Sequence, residues 1–146
     1  MEYLLIGEYE HSIDTKGRLI MPAKLKEDIG EKFVITQGLD GCLFAYSQTE
    51  WKNFEDKLRT FPLTSKDARA LKRFFLARAT ECEIDKQGRF LISGNLRKFA
   101  ELEKEVIIIG ALDKIEIWSK AKWQAYSEKE NMQADEIAER IENLGI

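Results

Sequence analysis

Polar and semi-apolar residues alternate with a period of two over Thr80-Glu81-Cys82-Glu83-Ile84, which predicts a strand with one face against a core. Short apolar runs from Arg18 to Met21 and from Arg89 to Ile92 predict two further strands. Two more pairs follow, Phe33–Thr36 with Cys42–Tyr46 and Val106–Ile109 with Ile115–Trp118. A short helix is expected between strands: Pro22 suits its first turn, Leu25 and Ile29 share a face, and Gly30 can end it. Ser93 could cap the equivalent helix further on.

Other stretches carry the helical period. Ser47 and Glu50 form a capping-box pattern, and the residues after it place Trp51, Phe54, Leu58 and Phe61 on one face. Thr64 and Asp67 open a second such helix, carrying Ala68, Leu71, Phe74 and Phe75. A last helix carries Ala134, Ile137, Ala138, Ile141 and Leu144. Stripes of this kind read as core or interface packing rather than as a ligand-lining set.

The pattern repeats. Ile13-Asp14-Thr15-Lys16-Gly17-Arg18-Leu19-Ile20 recurs as Ile84-Asp85-Lys86-Gln87-Gly88-Arg89-Phe90-Leu91, and Leu25-Lys26 aligns with Leu96-Arg97. After a two-residue insertion, Phe33-Val34-Ile35 lies near Val106-Ile107-Ile108. Leu39-Asp40 meets Leu112-Asp113, and Tyr46-Ser47 with Trp51 parallels Trp118-Ser119 with Trp123. Two copies of about 50 residues thus cover most of the chain. One copy has too few strands and too little core to stand alone, so interleaved strands in one shared barrel are expected, with helices coating the outside. The expected organisation is a single domain over 1–146. It comprises a first half-motif at 7–54, a helical segment at 55–77, a second half-motif at 78–126 and a C-terminal helix at 127–146.

Composition narrows the function classes. Of the 146 residues, 44% are apolar and 34% are charged, enough for a real core under a mixed-charge surface. No apolar run approaches the roughly 20 residues that span a bilayer. Met1-Glu2-Tyr3-Leu4-Leu5-Ile6 lacks a basic leader, so no secretory signal and no membrane partner are expected. Cys42, Cys82 and His11 are the only residues of their types, too few for a Cys/His metal site. No metal, cofactor or catalytic residue is expected; the cysteines read as buried small hydrophobes in a reducing compartment. The net charge of −3 argues at first against nucleic acid. Its distribution argues otherwise: Asp14–Lys26 and Asp85–Lys98 each hold four basic residues and one acid, whereas Ser127–Ile146 holds two basic and six acidic.

The basic stretches contain the paired turns Asp14…Arg18 and Asp85…Arg89, each with glycine before the arginine. Aspartate favours a turn start because its carboxylate can accept backbone N–H bonds, and Gly17 and Gly88 supply positive φ. This pair resembles the signature of the MraZ family, a member of the AbrB-like swapped-hairpin superfamily. The resemblance spans nearly the whole chain, including Leu25, the Trp51 and Trp123 helices and the Leu71-Lys72-Arg73-Phe74 segment. It implies a mainly β fold with peripheral α-helices, a double-psi β-barrel from two fused AbrB-like half-motifs. It also implies ring-shaped homo-oligomers, often octamers. The implied activity is transcriptional repression through G-rich direct repeats upstream of the cell-division and cell-wall gene cluster, in a cytoplasmic, nucleoid-associated protein. The family's DNA-contacting arginines map onto Arg18 and Arg89.

The residue chemistry suits that reading. A hairpin tip can enter the major groove, where arginine pairs bidentately with guanine O6 and N7, worth about 1–3 kcal/mol of base discrimination. Lys16 and Lys24 are placed for phosphates, with Thr15 and Lys86 as further contacts. Asp14 and Asp85 carry the wrong charge for DNA and are expected to brace their turns. Gln87 and Asn95 stand where the first copy has Lys16 and Lys24, so the first copy is expected to contact double-stranded DNA more strongly. A single Asp-x-x-Gly-Arg turn could equally be a hairpin with an internal ion pair, and for Asp85–Arg89 both readings stay open. Lys66, Arg69, Lys72 and Arg73 read as a solvated helix face or a subunit contact. Two other classes compete. An antitoxin-like protein-binding barrel would have one barrel half and a long disordered tail. A barrel protease would want Asp-Thr-Gly, which Lys16 interrupts in the first copy and Asp85-Lys86-Gln87 lacks in the second.

Overall fold

The computed structural model describes residues 5–131 and 133–145. Residues 1–4 of the N-terminal segment considered above lie outside the described residues. The first copy supplies β1 (Leu5–Ser12), β2 (Arg18–Ile20), α1 (Ala23–Ile29), β3 (Lys32–Gln37), β4 (Leu43–Ser47) and α2 (Gln48–Arg59). After α3 (Lys66–Leu76), the second copy repeats the order with β5 (Thr80–Glu83), β6 (Arg89–Leu91), α4 (Gly94–Phe99), β7 (Glu105–Leu112), β8 (Ile115–Ser119) and α5 (Lys120–Asn131). A short α6 (Ala134–Arg140) follows. The fold is thus mainly sheet with several helices.

The strands interleave. Six form an antiparallel sheet in the order β1-β7-β8-β4-β3-β5, and β2 pairs with β6 in a separate two-stranded ribbon. Exchanging the copies leaves this order unchanged. The first strand of each copy pairs with the other copy's hairpin, and β4 meets β8 at the centre. Each half forms its own hairpin, β3 with β4 or β7 with β8, and completes the sheet with the other half's first strand. The sheet is not closed: β1 and β5 are its edges.

Both faces of the sheet are covered, which explains why Leu43-Phe44-Ala45-Tyr46 is buried at every position. One face joins the ribbon, α1 and α4 in a cluster that includes Leu19, Leu25, Phe33, Ile35, Phe90, Leu96 and Ile108. Phe33 and Phe90 meet edge to face at 5.1 Å there. The opposite face holds Phe44, Tyr46, Ile107 and Trp118, with Trp51, Phe54, Leu58, Phe61, Phe74, Phe75 and Trp123 packed against them. Thr36 and Gln37, buried at the end of β3, donate side-chain hydrogen bonds to the carbonyls of Phe75 and Phe74, fastening the end of α3 to the sheet. Cys42 and Cys82 are free and buried.

The caps follow local chemistry with one shift. Ser47 and Ser93 accept bonds from the amides of Glu50 and Leu96. For α3 the cap is Ser65, bonded to the amide of Ala68, one residue after Thr64. Leu71 on that helix faces solvent at 38% exposure instead of joining the apolar stripe. The C-terminal segment departs most from expectation. The helix does not run through 127–146; α6 ends at Arg140, Ile141 is extended, and Asn143 and Gly145 adopt positive φ. Nothing on α6 is buried in this chain, so its apolar residues lack the packing that would have sustained a longer helix.

Candidate nucleic-acid interface

Each Asp-x-x-Gly-Arg segment folds by saturating one carboxylate with backbone donors. Asp14 Oδ1 accepts from the amides of Lys16 and Arg18, both at 2.9 Å. The main chain closes the loop from Asp14 N to the Arg18 carbonyl and from Gly17 N to the Asp14 carbonyl. Asp85 repeats the pattern with the amides of Gln87 and Arg89 at 2.8 and 2.9 Å. Gly17 and Gly88 take φ of 83° and 80°, a region that costs an L-residue about 1–2 kcal/mol. The bonds from the amides of Arg18 and Arg89 hold the two carboxyls below the usual carboxylate range.

The ribbon brings the two turns together. β2 and β6 pair antiparallel, with Arg18 opposite Leu91 and Ile20 opposite Arg89. Met21 N donates to the Gly88 carbonyl and Ile92 N to the Gly17 carbonyl, both at 2.9 Å, so each turn is tied to the other copy's strand. Alternation puts Leu19 and Phe90 in the core. The outward face presents Arg18 and Arg89 with two exposed apolar side chains, Ile20 at 44% and Leu91 at 57%. This pairing of apolar and cationic groups was not anticipated from sequence, because it depends on which strand β2 chooses as partner.

The two arginines are held differently. Arg18 Nε sits 2.8 Å from Asp14 Oδ2, with the side chain about one-third exposed at 31%. The guanidinium is therefore folded back along its own turn by its Nε edge rather than extended freely outward. Arg89 Nε lies 3.5 Å from Asp85 Oδ2, and Arg89 Nη1 lies 3.8 Å from Asp14 Oδ2 of the other turn. Arg89 also donates to Gln87 Oε1, while its Nε is buried without a hydrogen-bond partner of good geometry. Asp14 thus serves two arginines and Asp85 holds one loosely. Thr15, Lys16 and Lys86 are exposed at the turn tips, and Lys24 is exposed at the start of α1. Among the described residues, no hydrogen bond or ion pair joins these four side chains to the arginines.

One cation beside the first turn escaped the sequence reading. Arg97, on α4, donates from Nε to the Ile92 carbonyl at 3.0 Å. A methyl on Gly17 would lie 2.9 Å from its Cζ and Nε, so the guanidinium packs over the turn where a side chain would project. A methyl on Gly88 would meet nothing within 4 Å. Lys26, the counterpart of Arg97, lines an open cleft of about 550 Å³ with Glu31, Glu83, Asp85 and Lys86. The alignment of Leu25-Lys26 with Leu96-Arg97 was the available signal; the contact itself spans 80 positions. Among the described residues no group of His, Cys, Asp or Glu is placed to hold a metal ion, and no helix is long and apolar enough to cross a membrane.

Comparison with known proteins places this duplicated arrangement. The family model described as "MraZ protein, putative antitoxin-like" matches twice, over residues 4–74 and 75–143, one match to each copy. The chain belongs to the MraZ family. Its relatives include the transcriptional regulator MraZ of Caldanaerobacter subterraneus subsp. tengcongensis, 59% identical over 98% of this chain and 100% of that protein. The transcriptional regulators MraZ of Thermoanaerobacter sp. and Acetivibrio thermocellus are 60% and 57% identical over the same shares. The two matches to the MraZ family model take in both Asp-x-x-Gly-Arg turns and the helices that follow them.

Proposed function

We propose that this chain is a DNA-binding transcriptional repressor, not an enzyme, that reads guanines through Arg18. The observation that carries the reading is the ribbon itself. It sets two backbone-braced arginine turns side by side, with Lys16 and Thr15 exposed at the tip of one and Lys86 at the tip of the other. A β-ribbon of this kind fits the major groove, where the terminal nitrogens of Arg18, not those engaged with Asp14, can meet guanine O6 and N7. Lys16, Thr15, Lys24 and Lys86 would meet phosphates, which set register without specifying sequence. Arg89, shared between Asp85, Asp14 and Gln87, contributes less. The half-motifs at 7–54 and 78–126, joined by 55–77, are read as one double-psi-type barrel whose second wall is the ribbon. The 127–146 segment lies outside it.

One ribbon offers few phosphate contacts, and several linked copies raise avidity by roughly 10²–10⁴. In keeping with what the family resemblance implies, the repressor is read as a cyclic homo-oligomer, an octameric ring in the cytoplasm at the nucleoid. A ring presents its ribbons head to tail and favours G-rich direct repeats about 10 base pairs apart, upstream of the cell-division and cell-wall genes. The test is selection of bound fragments from genomic DNA by the purified protein, with its mass in solution measured in parallel. Recovery of G-rich direct repeats by a multimer is expected, with affinity falling steeply as salt rises. Random fragments, or a flat salt titration, would overturn the reading. Co-purification of a small protein in place of DNA would favour the antitoxin-like description that the family carries.

A further inference from the structure

We infer that Arg97 is a positioning residue for DNA reading: the second copy uses it to lock the first copy's turn, and this is what makes the two turns unequal. The inference rests on the DNA-reading role proposed above. Three contacts converge on one spot. Gly17 holds a positive φ, its carbonyl accepts from Ile92 N, and the Ile92 carbonyl accepts from Arg97 Nε, whose guanidinium covers Gly17. Lys16 and Arg18, the neighbours of Gly17, are the residues whose amides bind Asp14 Oδ1. A plate fixed over Gly17 therefore limits the rocking of the Asp14 carboxylate that orients Arg18.

The second turn lacks this plate. Gly88 is open on that side, its arginine pair is longer, and Lys26, which takes the place of Arg97 in the repeat, puts no atom within 4 Å of where a Gly88 methyl would lie. Lysine cannot reproduce the contact, because it has no Nε–H in a fixed plane to bond the carbonyl while the group lies flat. Arg97 is half-buried, and its Cζ, Nε and Nη2 lie 2.9, 2.9 and 3.1 Å from where a Gly17 methyl would sit, so one face of its plane rests on the turn, and the role inferred for it runs through Arg18.

The test uses the full-length oligomer with Arg97→Met and Arg97→Lys. Hydrogen exchange read by mass spectrometry over peptides spanning each turn needs no DNA. Exchange at residues 15–18 should rise by about tenfold in Arg97→Met while residues 86–89 stay within about twofold. Affinities are then measured for a duplex of G-rich direct repeats one helical turn apart and for a scrambled duplex of the same composition. The preference for the repeat duplex should fall about tenfold in Arg97→Met, the scale of one weakened arginine–guanine contact, with the salt slope unchanged and Arg97→Lys intermediate. Unchanged exchange at residues 15–18 would overturn the inference whatever the DNA result. Faster exchange with an unaltered preference would overturn the reading role, and a reduced salt slope would make Arg97 a phosphate contact instead. Should the wild-type protein itself show no preference, the regulator reading fails, and the inference with it, even if the exchange result shows the lock.

Discussion

The Asp14–Arg18 and Asp85–Arg89 turns share a sequence pattern, a backbone conformation and a carboxylate saturated by two amides, yet differ in what lies around them. At the first, the arginine pair closes to 2.8 Å and Arg97 covers the glycine; at the second the pair stands at 3.5 Å and the glycine is open. The local motif fixes the loop, while the side chains sent by the other copy decide how firmly the arginine is aimed. Duplication within one chain permits that division, since each half can change without its twin.

The difference is open to attack by mutation. The largest effect is expected from arginine removal. Arg18→Ala should abolish specific DNA binding while the oligomer keeps its mass, whereas Arg89→Ala should cost each ribbon only part of the roughly 1–3 kcal/mol of a good base contact. A gel shift at fixed salt compares them, and equal losses would erase the proposed inequality. Next comes the glycine pair. Gly88→Ala should destabilise by about 1–2 kcal/mol from its backbone conformation alone. Gly17→Ala should cost about 1 kcal/mol more, because the methyl displaces Arg97 from its bond to the Ile92 carbonyl. Urea melts of the two variants, at matched protein concentration, measure the gap.

Asp14→Asn removes an ion-pair partner from both arginines, whereas Asp85→Asn removes one from Arg89 and only a more distant charge from Arg18, so the first should lower repeat-duplex affinity more. The smallest effect is on pH. Both carboxyls are held below their ordinary value of 3.8 in the folded chain, so their contribution to stability is full above that pH and is lost as pH falls through the depressed values. Melting temperature should therefore be indifferent to these groups near neutrality and fall in acid. Replacing both by asparagine should flatten that acid limb.

Much of this was legible in the sequence because it is local. The repeat shows as the same short pattern written twice, and the strand order within each copy, Pro22 and Gly30 bounding α1, and the caps at Ser47 and Ser93 follow from residues within a few positions of one another. Cross-copy choices were not legible. The pairing of β2 with β6, the exposed Ile20 and Leu91 between the arginines, the reach of Arg89 to Asp14 and the placement of Arg97 over Gly17 depend on contacts between residues about 70 or more positions apart. The apolar spacing after Ala134 suggested a long helix because periodicity reports which face would be apolar, not whether anything covers it.

The most direct measurement pairs one protein atom group with one base atom. Affinity is compared for wild type and Arg18→Ala on a repeat duplex with guanine and on one with 7-deazaguanine, which lacks the N7 acceptor. A clear loss for wild type, and little further loss for Arg18→Ala, is the result expected of an arginine that reads guanine. An equal effect of 7-deazaguanine on both proteins, or none on wild type, would contradict it.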